Sequence, residues 1–162
     1  MLALKPDYVL IQFGHNDEGF MPLATYSANL VRFVDEARAA GVKPILVTPV
    51  SRRYWQADGR IHSELGPSAD AMKKVAADKN VPLLDLHSAA IELYEKAGKD
   101  VTDTWALSKP SGSTRQPATN PTVMPDEVLD KTHFNAQGSK AIGAVVASKL
   151  KVLIPELTPY ID

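Results

Sequence analysis

Two polar runs, far apart in the chain, hold the side chains best suited to chemistry: Gly14-His15-Asn16-Asp17 and Asp130-Lys131-Thr132-His133. An aspartate three residues before a histidine can fold back and accept the imidazole Nδ1 proton. That contact sets the tautomer, leaves Nε2 as a base and stabilises the imidazolium once it forms. Asn16 offers a side-chain amide of the kind that donates to a developing oxyanion. Both runs also have plainer readings. Asp-x-x-His ahead of a helix can be a cap followed by a surface histidine, and turns favour Asn and Asp for backbone reasons. His15 reads as a hydrogen-bonding member of its turn, and His62 and His87 as ordinary polar residues.

The elements that must position these residues follow from hydrophobic periodicity. Residues 8–13 are nearly all apolar, which predicts a strand buried on both faces in a parallel sheet. The run breaks at Gly14, where glycine permits a sharp turn, at the strand end where open α/β sheets bind ligands. A helix is predicted from about Tyr26 to Ala40, with Leu30, Phe33, Val34 and Ala37 as its apolar stripe. A second buried strand covers 44–49, and a second helix starts near Pro67 and buries Ala69, Met72, Val75 and Ala76. A third strand covers 81–85. Asp85 then caps a helix that carries Ala90, Leu93, Tyr94 and Ala97 and stops at Gly98. This alternation implies a parallel sheet with right-handed crossovers. Between Ser108 and Leu129 four prolines interrupt the pattern, as in functional or disordered loops. Asn135 reads as the N-cap of a last helix with Ile142, Val145, Val146 and Leu153 on its face. No repeat and no internal boundary appears, so residues 1–162 are expected to form a single domain.

Bulk properties narrow the function classes. At 162 residues with 44% hydrophobic content, the chain can bury a real core. A net charge of -1 gives no electrostatic case for nucleic acid or for an anionic membrane. No segment approaches the roughly 20 apolar residues of a membrane span. Without cysteine there is no disulfide or thiolate chemistry, and the compartment stays open. The first six residues are too short for a signal peptide.

Together and in this order, the two runs resemble the third and last sequence blocks of the SGNH (GDSL-type) hydrolase family. Val47-Thr48-Pro49-Val50-Ser51-Arg52-Arg53 and Leu84-Asp85-Leu86-His87 resemble its rhamnogalacturonan acetylesterase branch. The resemblance implies a flavodoxin-like α/β fold, a three-layer α/β/α sandwich around a parallel sheet. It implies a carboxylic ester hydrolase that deacetylates carbohydrate or cleaves short-chain acyl esters, with no cofactor and no metal. His133 would be the base, Asp130 its partner, and Asn16 the oxyanion donor in a loop begun by Gly14. Family members are often secreted.

The family's Gly-Asp-Ser block does not occur in this sequence, which starts where the family's third strand would. The expectation is therefore of a fold lacking its first strands and its usual nucleophile. Ser51 is the best-placed substitute; Ser111 and Ser113 lie in the Pro-rich segment. Arg52, Arg53, Tyr54 and Trp55 read either as an exposed loop anchored by Trp55 or as a wall for sugars, with aromatic faces stacking and arginines pairing with uronate carboxylates. One alternative is a catalytically inactive SGNH-like domain that binds glycan or protein. Another is a metal-dependent phosphoesterase using His15, Asp17, Asp130 and His133. Such enzymes usually carry Gly-Asn-His-Asp/Glu, an order not found here. The strand over 8–13 contains neither proline nor lysine to shield an edge. It is expected to drive homo-oligomer formation or to bind a segment supplying the missing strands.

Overall fold

The computed structural model describes residues 4–107 and 129–161. The chain runs through β1 (Tyr8–Ile11), α1 (Leu23–Ala39), β2 (Lys43–Val47) and the short strands β3 (Tyr54–Trp55) and β4 (Ile61–His62). It continues through α2 (Gly66–Asp78), β5 (Leu83–Leu84), α3 (Leu86–Ala97), α4 (Lys99–Asp103) and α5 (Ala136–Leu153). A 3₁₀ helix over Pro155–Tyr160 follows. β1, β2 and β5 form a parallel sheet in the order β1-β2-β5, with Leu10 opposite Ile45 and Leu46 opposite Leu83.

The strand period of two divides β2 between two cores. Leu46 packs among Val9, Ile11, Leu30, Val34, Met72 and Val75, under α1 and α2. Ile45 and Val47 face the other way, against Leu84, Leu150 and Ile154 beneath α5. Ile45 and Leu46 are both 0% exposed, and each contributes about 1.5–3 kcal/mol by leaving water. Helices on both faces of a parallel sheet make the predicted α/β sandwich. No helix among the described residues is long and apolar enough to cross a membrane.

Three expectations change. The first strand ends at Ile11 and is not buried on both faces: Val9 and Ile11 are covered, while Leu10 is 44% and Phe13 48% exposed. The reason is reach. On the α5 face the covering layer touches β1 only at Tyr8, and Phe13 stacks on Phe33 of α1 beyond the strand end. The segment expected to be an exposed loop anchored by Trp55 contains the β3–β4 ribbon, with Trp55 opposite Ile61. Gln56 and Arg60 close its turn by a 2.8 Å hydrogen bond, and Asp58 accepts from the Arg60 amide at 3.0 Å. Asp58-Gly59 is a recognised hairpin signal. α1 also begins earlier than predicted, directly after Pro22.

Candidate active site

The loop before α5 is built around Asp130, which is 6% exposed. Its Oδ2 accepts from Nδ1 of His133 at 2.8 Å. Its Oδ1 accepts from the amides of Thr132 and His133, each at 2.9 Å. Burial pushes this carboxyl up, but the His133 amide and ring and the Thr132 amide outweigh it and hold the group below its ordinary value. Asp130 is thus a fixed carboxylate. Because Nδ1 donates to it, Nε2 of His133 is the acceptor nitrogen, on a side chain 71% exposed.

The loop is fastened to α4 and the residues after it. Lys131 pairs with Asp103 at 2.7 Å. The Asn135 amide nitrogen donates to the carbonyls of Thr104 and Ala106, while its oxygen accepts from Gln137 and Gly138 and caps α5. Gly138 lets the helix start lie against Trp105. A Cβ there would stand 2.7 Å from the Trp105 Cβ and 2.9 Å from its carbonyl oxygen.

The other polar run leaves the carboxyl end of β1. Gly14 has φ +129°, and a Cβ on it would meet Pro49 at 3.1 Å, so this turn needs glycine on both counts. Tyr26 donates to the Phe13 carbonyl at 3.0 Å, and burial raises its hydroxyl above the ordinary range. His15 Nε2 donates to the Val50 carbonyl at 2.9 Å. Burial chiefly holds the His15 ring below its ordinary value, despite that bond, and the charges of Arg52 and His133 add to the lowering. His15 is therefore a neutral structural donor. Asn16 is exposed, and its side chain has no hydrogen-bond partner among the described residues.

The segment after β2 lies between the two runs and touches both. Arg52 donates to the His15 carbonyl at 2.9 Å. Arg53 donates to the carbonyls of Asp130 at 2.6 Å and His133 at 3.0 Å. The sequence expectations for this segment need correction. Arg53 is 0% exposed, and Arg52 is largely buried beside Glu64, so neither faces a substrate as part of a sugar wall. Both guanidiniums turn inward to backbone carbonyls, and Arg52 also to Glu64. Trp55 is half-buried, with Nε1 donating to Thr102 at 3.2 Å, and only Tyr54 stays exposed, at 38%. Ser51 is 1% exposed and its hydroxyl donates to the Arg52 carbonyl, so it is closed to an ester. Ser111, Ser113 and the Pro-rich segment lie outside the described residues.

His87 is more than an ordinary polar residue. It is buried, its Nδ1 donates to the Pro49 carbonyl at 3.1 Å, and its amide donates to Thr48 at 2.8 Å. It ties the end of β2 to α3, and no sequence pattern signalled that. Among the described residues, no three His, Asp or Glu side chains gather as a metal cluster would require, so the four phosphoesterase ligands do not assemble.

A model of the GDSL-like lipase/acylhydrolase family matches residues 1–141. The chain belongs to that family. Within it, the chain is similar to rhamnogalacturonan acetylesterase RhgT of Bacillus subtilis (strain 168), 39% identical over 150 residues, which are 91% of this chain and 62% of RhgT. YesY, a probable rhamnogalacturonan acetylesterase of the same organism, is 27% identical over 98% of this chain and 69% of its own length. Among solved structures, a variant of the acetyl-xylooligosaccharide esterase Axe2 from Geobacillus matches with a TM-score of 0.62 at 20% identity. That match covers 92% of this chain and 61% of Axe2, and it speaks for the GDSL-family fold. The chain thus spans under two thirds of RhgT, at 62%.

Proposed function

We propose that this chain carries the acid–base pair and the oxyanion donor of a carbohydrate acetylesterase. One observation carries the reading: Asp130 holds Nδ1 of His133 at 2.8 Å on a ring whose side chain is 71% exposed. In acetyl transfer of this kind a serine oxygen attacks the acetyl carbonyl, and Nε2 of His133 accepts the hydroxyl proton as the new C–O bond forms. Asp130 stabilises the resulting imidazolium. The Asn16 amide donates to the tetrahedral oxyanion. As the ester bond breaks, Nε2 returns the proton to the departing sugar oxygen; water then repeats the cycle on the acetyl-enzyme.

Similarity to RhgT supports acetylated pectic polysaccharide as the substrate class, with Tyr54 as the aromatic surface open to a sugar. We take residues 1–162 as one domain of this type. The chain contains no Gly-Asp-Ser, and Ser51 is closed in, so the nucleophile has to be found by experiment. The test is hydrolysis of a short acyl chromogenic ester, followed by a serine-directed organophosphorus probe with the labelled residue mapped by mass. Turnover that depends on His133 supports the proposal; turnover indifferent to His133 removes it.

A further inference from the structure

Arg52 and Arg53 are neighbours in the chain, yet each grips a different one of the two polar runs. Three of the four backbone carbonyls in Asp130-Lys131-Thr132-His133 accept from Arg53. Its Nη2 serves Asp130 and His133, and its own backbone amide serves Lys131 at 3.0 Å. The guanidinium also lies over the Phe134 ring, 4.4 Å from its centre. Arg52 sends Nη2 to the His15 carbonyl and Nη1 to Glu64, with Glu18 4.0 Å away.

Burying a guanidinium is expensive unless hydrogen bonds offset the lost water. On Arg53 the offsetting bonds come from Nη2 and go to the main chain of the residues flanking the imidazole, while Nε and Nη1 are buried without a hydrogen bond among the described residues. The segment itself is anchored from below: Tyr94 donates to the Ser51 carbonyl at 3.2 Å, and burial pushes that hydroxyl up to about 12.

We propose that Arg52 and Arg53 form a cross-brace, two positioning residues that hold the Asn16 turn and the Asp130–His133 loop in fixed relation, with Arg53 seating the His133 ring on Asp130. Its catalytic meaning rests on the acetylesterase reading, but its geometry does not. Chemistry of this kind tolerates little error, since a 1 Å misplacement can lower a rate about a hundredfold.

The test observes the ring nitrogens directly. The chain is labelled with ¹⁵N in its imidazoles, long-range proton–nitrogen spectra are recorded, and His133 is assigned through His133→Gln. With the ring neutral, the spectra report the ratio of the Nδ1–H to the Nε2–H form. Arg53→Met should lower that ratio at His133 roughly tenfold, about the worth of one ordinary hydrogen bond. Arg52→Met should move the His15 ring and Asn16 amide signals and leave the His133 ratio in place. An unchanged His133 ratio in Arg53→Met overturns the brace, as does equal disturbance of both runs by both variants, which general loosening would produce. If Arg53→Met does not fold, Arg53→Lys is read instead. Lysine lacks the planar fork, so a fall in the ratio supports the brace and an unchanged ratio overturns it. Since no turnover is needed, an inactive chain with the predicted spectra counts against the acetylesterase reading and leaves the brace standing.

Discussion

The loop carrying Asp130 and His133 takes its shape from distant side chains, whereas the turn carrying Asn16 takes its shape mostly from its own backbone. The loop is held by Arg53 from beyond β2, by Asp103 through Lys131, and by the carbonyls of Thr104 and Ala106 through Asn135. The turn closes locally, with the Glu18 amide on the Gly14 carbonyl at 3.2 Å and the Met21 amide on the Asp17 carbonyl at 2.9 Å. Arg52 and His15 add its outside ties. The difference matches the demands of the two proposed roles. A base must be aimed through a ring with two distinct nitrogens, which takes several directional contacts. A single amide donor can be presented by one turn, provided its first residue tolerates positive φ.

The comparison can be broken most forcefully at the two polar side chains themselves. On a short acyl ester, His133→Ala should lower turnover about a thousandfold, within the range for lost general acid–base catalysis. Asn16→Ala should cost less, on the order of a hundredfold. Full activity in His133→Ala would put the base elsewhere.

The two glycines sharpen it next. Gly138→Ala forces a methyl into the Trp105 backbone and should destabilise the chain by about 1–3 kcal/mol. It should disturb the His133 loop in particular. Gly14→Ala strains a φ of +129° and crowds Pro49, with a destabilisation of about 1–3 kcal/mol centred on the Asn16 turn. Urea unfolding read beside His133 and Asn16 chemical shifts separates the two outcomes. Both variants disturbing both sites alike would show that neither glycine acts chiefly on its own run.

Acid distinguishes the loop from the turn more gently. The folded Asp130 carboxyl lies below its ordinary value of 3.8. It therefore contributes stability that is present above the unfolded value and is lost as pH falls through the lower, folded one. Asp103 is lowered too: its burial acts upward but is outweighed by Lys131 and Lys99. Denaturant midpoints followed from neutral pH down through the carboxylate range should fall less steeply in Asp130→Asn than in the parent chain. Parallel curves would mean that Asp130 is not coupled to folding.

The smallest effect is expected at the sheet edge. Among the described residues β1 pairs only with β2, and Leu10 and Phe13 lie 44% and 48% exposed near its outer side. Apolar edges recruit further strands. The chain should therefore associate with itself, and Leu10→Lys should shift that association to roughly tenfold higher concentration, the effect of about 1.4 kcal/mol of apolar burial. Light scattering over a dilution series measures both. A well-folded monomer at low micromolar concentration would end this idea.

What could be read from the sequence was local. An aspartate and a histidine three residues apart meet through a short loop, Asn135 caps the helix that follows it, and alternating apolar periods stack into a parallel sheet. The β3–β4 hairpin was not read, although Asp58-Gly59 lies at its turn. Tertiary structure alone decided the rest. Whether a guanidinium points into water or inward depends on what stands opposite it, and for Arg53 that is a backbone 77 and 80 residues away. The same holds for Ser51, closed in by its neighbours, and for Leu10, left open because the covering helix layer reaches β1 only at Tyr8. Periodicity records which side chains would leave water if covered. Only the packed chain supplies the cover.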